Sequence, residues 1–224
     1  MKISAVILGG GRGTRVGFSA PKQFILLRNR PLFDYSVEKF VALKVDFIVA
    51  VLVNNYKDFY QPHPAISVIA PAGETRQYSV LNGLKVCPEN TDLVIIHDSA
   101  RPFFPLKRVA ESLKLLAEGK YDGLALAVPT TDTLVEVEKG KIVSFPVRSK
   151  IFHTQTPQLF QFTKILKAYQ DLKNQNFTDD LSVAKAAGLS CGLVEGSRMN
   201  FKITTEIDWY LAEQLLDSGG LEFT

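Results

Sequence analysis

A glycine-rich stretch after the first apolar run is the part of the sequence best suited to chemistry. Gly9-Gly10-Gly11-Arg12-Gly13-Thr14-Arg15 continues to Pro21-Lys22-Gln23. Glycines let a backbone approach phosphate groups and direct N–H groups at them, and Arg15 and Lys22 can neutralise their charge. The stretch lacks the Gly-Lys-Ser/Thr of a Walker A loop, and Val16 stands where a dinucleotide fingerprint has its third glycine. We expect a phosphate-binding loop; the alternative is a flexible turn with solvated charges.

The second candidate segment is Ala72-Gly73-Glu74-Thr75-Arg76-Gln77-Tyr78-Ser79, between the third predicted strand and a predicted helix. A glycine beside acidic and hydroxyl residues at a helix N-terminus can bind the edge of a base or a ribose. The alternative is a plain capping segment in which Thr75 is the N-cap residue.

The third segment, His97-Asp98-Ser99-Ala100-Arg101-Pro102, follows the buried run Leu93–Ile96. A carboxylate at the carboxyl end of a strand is well placed to hold Mg²⁺ against phosphate oxygens, and Arg101 can pair with a second anion. Alternatively, Asp98 caps the next segment and Arg101 forms a surface ion pair. We interpret His97 as a packing residue or as a residue that supports a site residue from behind, because no other His or Cys stands nearby in the sequence to complete a metal cluster.

A fourth group of polar residues is spread over the second half of the chain. Each member taken alone is typical of a solvated loop, and Asp179-Asp180 can simply cap a helix that begins at Leu181. Only the combination of these segments indicates a functional site. The members are Arg148, Thr154-Gln155-Thr156-Pro157-Gln158, Thr178-Asp179-Asp180 and Phe201-Lys202-Ile203-Thr204.

The elements that must position these residues alternate between short β-branched runs and apolar residues at helical spacing, which predicts an α/β fold. Runs that are apolar on both faces indicate a mostly parallel sheet with helices on each side, which gathers ligands at the carboxyl ends of its strands. The predicted strands are Ile3–Leu8, Phe47–Val53, Ile66–Ala70, Leu93–Ile96 and Leu124–Val128. The predicted helices of this half are Leu32–Leu43, Thr75–Val86 and Leu106–Leu116.

The pattern changes from Thr131 onward. Thr133–Glu138 and Lys141–Phe145 alternate around Lys139-Gly140, which predicts a β-hairpin that projects from the sheet. We expect one domain over residues 1–224, with residues 131–150 as an excursion. The later elements are predicted as helices at Phe162–Leu172, Leu181–Ala187 and Ile207–Leu216, with short strands at Gly192–Val194 and Phe201–Ile203.

The composition is that of an ordinary globular protein. The 224 residues are 46% hydrophobic and 22% charged, with a net charge of +3, so neither disorder nor the dense basic stripe of a nucleic-acid protein is expected. Cys87 and Cys191 are too few for a disulfide framework, which favours a reduced, cytoplasmic setting. The longest apolar run, Phe47–Val53, is far shorter than the ~18 residues typical of a membrane span, and Met1–Leu8 is too short for a signal-peptide core.

The motifs, in this order and over nearly the whole chain, resemble the 2-C-methyl-D-erythritol 4-phosphate cytidylyltransferase family of the non-mevalonate isoprenoid pathway. A glycine loop followed by Pro-Lys-Gln is shared by many nucleotidyltransferases. The segment His97–Pro102 combined with Thr156-Pro157-Gln158 and Lys202 is much more specific. The ribitol-5-phosphate cytidylyltransferases share these motifs, and Gly9-Gly10 and Phe145-Pro146-Val147-Arg148 resemble them, whereas Ser99-Ala100 and Thr178-Asp179-Asp180 resemble the methylerythritol enzymes.

This resemblance implies a Rossmann-like nucleotidyltransferase sheet, CTP and a polyol phosphate as substrates, Mg²⁺ or another divalent cation as cofactor, and a homodimer that exchanges the arm at 131–150. The implied site is large and divides by role. Catalytic roles fall on Arg15, Lys22 and Lys202, and the metal on Asp98. Nucleotide binding falls on Gly9, Gly10, Gly11, Gly13, Gly73, Glu74, Arg76 and Ser79. Acceptor binding falls on Arg101, Arg148, Thr156, Thr178 and Lys202.

Two functions of other classes stay open on the sequence alone. The first is a catalytically silent nucleotide-binding or regulatory module on the same fold, since a fold does not fix an activity. Arg15, Lys22, Asp98 and Lys202 argue against it. The second is a dinucleotide-dependent oxidoreductase, which the missing third glycine and the clustered basic residues disfavour.

Overall fold

The structure is a computed structural model that describes residues 1–11 and 20–219. In chain order its strands are β1 (Ile3–Gly9), β2 (Leu26–Leu27), β3 (Arg30–Pro31), β4 (Phe47–Leu52), β5 (Val68–Pro71), β6 (Leu93–Asp98), β7 (Gly123–Pro129), β8 (Glu136–Glu138), β9 (Lys141–Ser144), β10 (Phe152–Gln161) and β11 (Cys191–Glu195). Its helices are α1 (Leu32–Ala42), α2 (Arg76–Lys85), α3 (Leu106–Ala117), α4 (Phe162–Asp171), α5 (Asp180–Ala186) and α6 (Glu206–Asp217).

The central sheet has seven strands in the order β11-β7-β10-β6-β1-β4-β5. Strand β10 runs antiparallel to both of its neighbours, and the other pairings are parallel. The predicted mostly parallel α/β fold is therefore confirmed. In register, Leu8 of β1 lies beside Asp98 of β6, so the glycine loop and the third motif leave the sheet at the same edge.

Helices cover both faces of this sheet because successive strand residues point to opposite sides. In β1, Ala5 and Ile7 belong to one core cluster with α1 and α3, and Val6 and Leu8 belong to a second with α2, α4 and α5. These four β1 side chains are buried. The strand ends that carry polar groups are thus fixed between two packed layers.

Two sequence-based expectations about strands were wrong. The stretch Thr154–Gln158, interpreted as a loop, belongs to β10, whose register with β7 shifts between Gln155 and Gln158. Polar side chains and Pro157 are not typical of a buried strand, so the sequence pattern did not indicate one here. The backbone nevertheless pairs with both β6 and β7. The stretch Phe201–Ile203, predicted as a strand, has no strand pairing; Ile203 N donates one hydrogen bond to Ala100 O, which holds the stretch against the end of β6.

The predicted hairpin forms, with shorter strands than expected. Strands β8 and β9 pair with each other in a sheet separate from the central one. We call residues 131–150 the arm. Most of its apolar side chains are exposed, Val147 to 61% and Phe145 to 67%. Across the ranges that the structure describes, no helix is both long and apolar enough to cross a membrane.

Candidate active site

A cleft of about 670 Å³ opens at the carboxyl ends of β1, β4 and β6. This is where the topology of an open parallel sheet concentrates ligands. The cleft brings together residues from motifs up to 193 positions apart, counted from Gly9 to Lys202. The predicted site residues that line it are Gly9, Gly10, Gly11, Lys22, Gly73, Glu74, Arg76, Ser79, Asp98 and Lys202.

One glycine lets two walls of this cleft approach each other, and a second permits a tight turn within one wall. A Cβ at Gly10 would lie 2.6 Å from the Cβ of Ala72, and a Cβ at Gly73 would lie 2.4 Å from the Cβ of Tyr78. A side chain at Gly10 would push the glycine loop away from the second motif, and one at Gly73 would open the turn that leads into α2. The glycine at position 73 also donates from its backbone N–H to Ser79 Oγ at 3.0 Å.

The second motif also caps a helix. Thr75 is the N-cap residue of α2, and its Oγ1 accepts a hydrogen bond from Tyr78 N at 3.2 Å. Ser79 Oγ donates back to Thr75 O at 2.9 Å. The capping interpretation is thus confirmed, and because Gly73, Glu74 and Ser79 line the cleft, the same turn is also available to a ligand.

Asp98 lies between two cations at the floor of the cleft. Its Oδ1 accepts from Arg76 Nε at 3.0 Å, and its Oδ2 accepts from Lys202 Nζ at 2.6 Å. Burial acts to raise the pKa of Asp98, but the opposite charges of Arg76 and Lys202 outweigh it, so the pKa lies well below that of an ordinary aspartate. Asp98 is therefore ionised throughout the physiological pH range.

Arg76 is itself held from behind by an acidic residue. Its two terminal nitrogens each donate to an oxygen of Asp180 at 2.8 Å, in a bidentate pair. Asp180 is fully buried, and its Oδ1 also accepts the hydroxyl hydrogen bond of Tyr169. Burial acts to lower the pKa of Arg76, but the two carboxylates raise it well above its ordinary value, so the guanidinium stays charged.

Behind Asp98, a buried hydrogen-bond chain fixes the end of β6. Asp98 N donates to Thr156 Oγ1 at 3.1 Å, and Thr156 Oγ1 also lies 3.1 Å from His97 Nδ1. The other ring nitrogen of His97 lies 3.1 Å from Ser36 Oγ. Burial lowers the pKa of His97 to about 3, so the ring is neutral at physiological pH. The interpretation of His97 is confirmed in both parts: its ring packs against Phe40 and Phe104, and it supports Asp98 through Thr156.

The two lysines of the cleft meet at the loop before α6. Lys22 Nζ donates to the backbone carbonyl of Ile203, the residue next to Lys202. Lys22 follows the glycine loop, and Lys202 comes from the other end of the chain. Two positive charges are thus brought to one wall of the cleft, as a site for phosphate groups requires.

Arg101 lies beside the cleft rather than in a surface ion pair. Its guanidinium donates to Asn200 O at 2.8 Å, and burial lowers its pKa. Among the described residues, its buried Nε has no hydrogen-bond partner. Asn200 is buried and donates from Nδ2 to Gln155 Oε1 at 3.2 Å and to Thr156 O at 2.9 Å, so β10 fixes the segment that holds Arg101.

A family model described as IspD: 2-C-methyl-D-erythritol 4-phosphate cytidylyltransferase matches residues 3–218. The chain belongs to this family. It is 39% identical to the 2-C-methyl-D-erythritol 4-phosphate cytidylyltransferase of Aquifex aeolicus (strain VF5), over 95% of this chain and 97% of that one. It is 36% identical to the enzyme so named from Caldicellulosiruptor bescii, over 98% and 99% of the two chains.

Solved structures agree with this membership of the IspD family. The crystal structure of Francisella tularensis 2-C-methyl-D-erythritol 4-phosphate cytidylyltransferase aligns with a TM-score of 0.82 at 29% identity, over 96% of this chain and 99% of that one. The corresponding structure from Thermus thermophilus aligns with a TM-score of 0.79 at 29% identity, over 97% and 100%. The resemblance inferred from the motifs is confirmed.

Some residues that the family resemblance assigned to the site are not gathered by this chain. Arg148 is exposed on the arm, where it donates to Thr131 O at 3.3 Å, and Thr178 is exposed before α5. Neither appears in the cleft wall formed by the described residues. Gly13 and Arg15 lie outside the described residues.

Sequence reasoning missed the partners that hold this IspD-family site in shape. Asp180 was interpreted as a helix cap or as part of the Thr178-Asp179-Asp180 motif, with no partner assigned. Asp179 is the N-cap residue of α5, and Asp180 pairs with Arg76. Tyr169 lies within the predicted helix Phe162–Leu172 and was not assigned any role. A buried Tyr followed by an acidic pair was the available signal, because a phenol in a core requires a hydrogen-bond partner.

Proposed function

We propose that the protein transfers a cytidylyl group from CTP to 2-C-methyl-D-erythritol 4-phosphate, giving 4-diphosphocytidyl-2-C-methyl-D-erythritol and pyrophosphate in non-mevalonate isoprenoid biosynthesis. The supporting observation is the cleft in which Asp98, held by Arg76 and Lys202, faces the glycine loop and Lys22. Membership of the IspD family supplies the substrate identities. We also propose a cytoplasmic location, the reduced setting that the free Cys87 and Cys191 favour.

In the proposed reaction, an oxygen of the acceptor phosphate attacks the α-phosphorus of CTP in line. A new P–O bond forms as the bond to pyrophosphate breaks, and pyrophosphate leaves from the opposite face. The attacking phosphate is already ionised at neutral pH, so the reaction needs positive charge rather than a general base. Arg15 and Lys22 would stabilise the charge that develops on the α-phosphoryl group and the leaving pyrophosphate, and Lys202 would draw in the acceptor phosphate.

The nucleotide would lie along the two glycine-containing turns. Backbone N–H groups of Gly9-Gly10-Gly11 and Gly13 would bind the triphosphate, since glycines let phosphate groups approach a backbone closely. Gly73, Glu74 and Ser79 would contact cytosine and ribose. Arg76, whose guanidinium is engaged by Asp98 and Asp180, would support this turn from below.

The acceptor would lie on the β10 side of the cleft. Arg101 has a buried Nε without a partner among the described residues, which suits an anion. Thr156 supports the end of β6 and would position the acceptor from there. Thr178 lies near the start of α5 and would complete this side, together with Lys202.

A divalent cation fits the chemistry of Asp98. The described residues contain no group of three or more His, Cys, Asp or Glu that could cage a metal. Mg²⁺ in nucleotide enzymes is often held by one or two carboxylates plus substrate phosphates and water. Each Asp98 oxygen accepts one cationic hydrogen bond and retains a lone pair, so this carboxylate would hold Mg²⁺. When bound, the ion would offset negative charge on the triphosphate.

The arm would pair two copies of the chain. Its exposed apolar side chains exceed what an isolated two-stranded ribbon can bury. A two-fold axis through the arms would bring Arg148 of each copy to the other's cleft. This supports a homodimer with shared sites, in which the exposure of Arg148 in one chain is expected.

Shared sites can be tested by mixing an Arg148→Ala chain with an Arg15→Ala chain. In each mixed dimer one site would carry both defects and the other neither. With half of the dimers mixed, activity should recover to about a quarter of the wild-type value. Continued inactivity after verified subunit exchange would contradict the arrangement.

The proposed activity is tested by offering the purified protein CTP and Mg²⁺ with 2-C-methyl-D-erythritol 4-phosphate or, separately, ribitol 5-phosphate. We expect faster pyrophosphate release with the methylerythritol phosphate and none without an acceptor. A clear preference for ribitol phosphate would reassign the acceptor, to which Phe145-Pro146-Val147-Arg148 would then contribute. No release with either acceptor would indicate a silent nucleotide-binding module.

A further inference from the structure

Tyr169 on α4 and Asp180 on α5 form a buried extension of the charged cluster that the proposed reaction does not itself use. Asp180 accepts two 2.8 Å hydrogen bonds from Arg76 and one from the Tyr169 hydroxyl. A carboxylate removed from water is costly unless it is paired and hydrogen-bonded. These three donors give Asp180 that pairing, so the group is built as a unit.

This unit determines how Arg76 meets Asp98. The guanidinium is planar and rigid, so fixing its two terminal nitrogens on Asp180 also fixes the direction of Nε. That third nitrogen lies 3.0 Å from Asp98 Oδ1. The orientation of a cleft residue is therefore set by a helix that does not line the cleft within the described residues.

The ion pairs that join this unit to Asp98 and Lys202 also balance in charge. Asp98 and Asp180 face Arg76 and Lys202, two carboxylates against two cations. Without Asp180, one carboxylate would lie between two cations. The terminal nitrogens of Arg76 would then be free to turn toward Asp98 and compete there with any other cation.

We propose that Asp180 and Tyr169 are positioning residues, which keep Arg76 neutralised and aimed through Nε at Asp98 so that the carboxylate stays available to the cleft. The inference rests on the proposed function, since it is nucleotidyl transfer that Asp98 serves. In the competing interpretation, the Arg76–Asp180 pair only ties α2 to α5 and contributes to stability alone.

A double-mutant cycle separates the two interpretations. Asp180→Asn should lower kcat about 10- to 100-fold, the scale for residues that orient a site from behind, and Tyr169→Phe about 5-fold. The affinity for CTP, measured by calorimetry without acceptor, should change less than kcat. In an Arg76→Gln background both further losses should disappear, because Asp180 and Tyr169 act only through Arg76.

The control is Asp171→Asn, which removes an exposed carboxylate that pairs with Lys167 along α4. It should leave kcat unchanged. A lowered Tm with unchanged kcat in Asp180→Asn, or losses that persist in full in the Arg76→Gln background, would overturn the proposal. If Asp180→Asn does not fold, Tyr169→Phe decides, since it removes a single hydroxyl group.

A crystal structure of Asp180→Asn gives a readout that does not depend on activity. We expect the guanidinium of Arg76 to rotate, replacing its Nε contact with Asp98 by contacts from its terminal nitrogens. An unchanged Arg76 geometry would refute the positioning role. A wild-type protein that releases no pyrophosphate would refute the proposed function instead, and this structural comparison would still decide whether Asp180 aims Arg76.

Discussion

The charged cluster around Asp98 and the arm at 131–150 differ in how far a single chain completes them. In the cluster, every acidic group has a cationic partner within the same chain, and Arg76 is held on both sides. In the arm, Val137, Ile142 and Phe145 are exposed, and Arg148 has one long hydrogen bond to a backbone carbonyl. The ion-paired residues of the cluster therefore belong to a site that one chain builds alone. The exposed apolar side chains and Arg148 of the arm indicate where a second molecule must bind.

The largest expected effect concerns Lys22, a cation that the chain holds in place beside the cluster. Lys22→Ala should lower kcat at least ~100-fold with a smaller change in CTP affinity, because a fixed cation acts mainly on charge that develops in the transition state. Arg15→Ala should behave alike. Steady-state kinetics and calorimetry measure the two quantities. Lys114→Ala, on the exposed face of α3, is the matched control. If Lys22→Ala loses affinity for CTP but keeps its kcat, Lys22 contributes only to binding CTP in the ground state.

The second prediction concerns the metal. Asp98→Asn keeps the size of the side chain and removes its charge, so the Mg²⁺ concentration that gives half-maximal activity should rise about 10-fold or more. A magnesium titration at saturating CTP measures it. An unchanged midpoint would remove Asp98 from the metal site and leave it as the partner of Arg76 and Lys202 alone.

The third prediction tests whether the arm needs a second copy of the chain to cover its exposed apolar side chains. Val137 and Ile142 are cross-strand partners, so Val137→Asp with Ile142→Asp places two charges on the exposed apolar face. We expect a monomer by sedimentation and a loss of activity of about 10-fold, as Arg148 leaves the partner's cleft. Ile207→Asp, a similar change at an exposed position of α6, should leave the assembly intact. A wild-type protein that is monomeric at working concentration would contradict the proposed pairing through the arm.

The smallest effect is a pH dependence of stability that arises from Asp98 in the cluster. The pKa of Asp98 is lower in the folded chain than the ordinary value of about 4 expected when unfolded. Its ionised form therefore stabilises the fold above about pH 4, and that contribution is lost as the pH falls further. The Tm of Asp98→Asn should be lower than wild type at pH 7, and the gap should narrow toward pH 3. A constant gap would contradict this linkage.

The parallel half of the fold and most of the cleft were predictable from local patterns. Apolar runs ending in His97-Asp98 or in glycines indicate buried strands whose ends meet at one edge. Strand β10 was not predictable, because its polar side chains make hydrogen bonds to remote segments: Gln155 donates to Ser197 O at 2.7 Å. Nor did any spacing reveal Arg76–Asp180, since a pair 104 residues apart in sequence has no local period.

The antiparallel direction of β10 makes the arm a modular insertion. Phe152 lies in register with Pro129, so the chain leaves β7 and re-enters the sheet at neighbouring positions. Everything between them is one long hairpin connection, and lengthening such a connection costs little closure entropy. Residues 130–151 can therefore be shortened to a tight turn, or exchanged for another ribbon, without altering the register of the seven strands. The ribbon that pairs two copies could then change without disturbing the strands that hold the cleft, provided that Arg148 is kept for the partner's site.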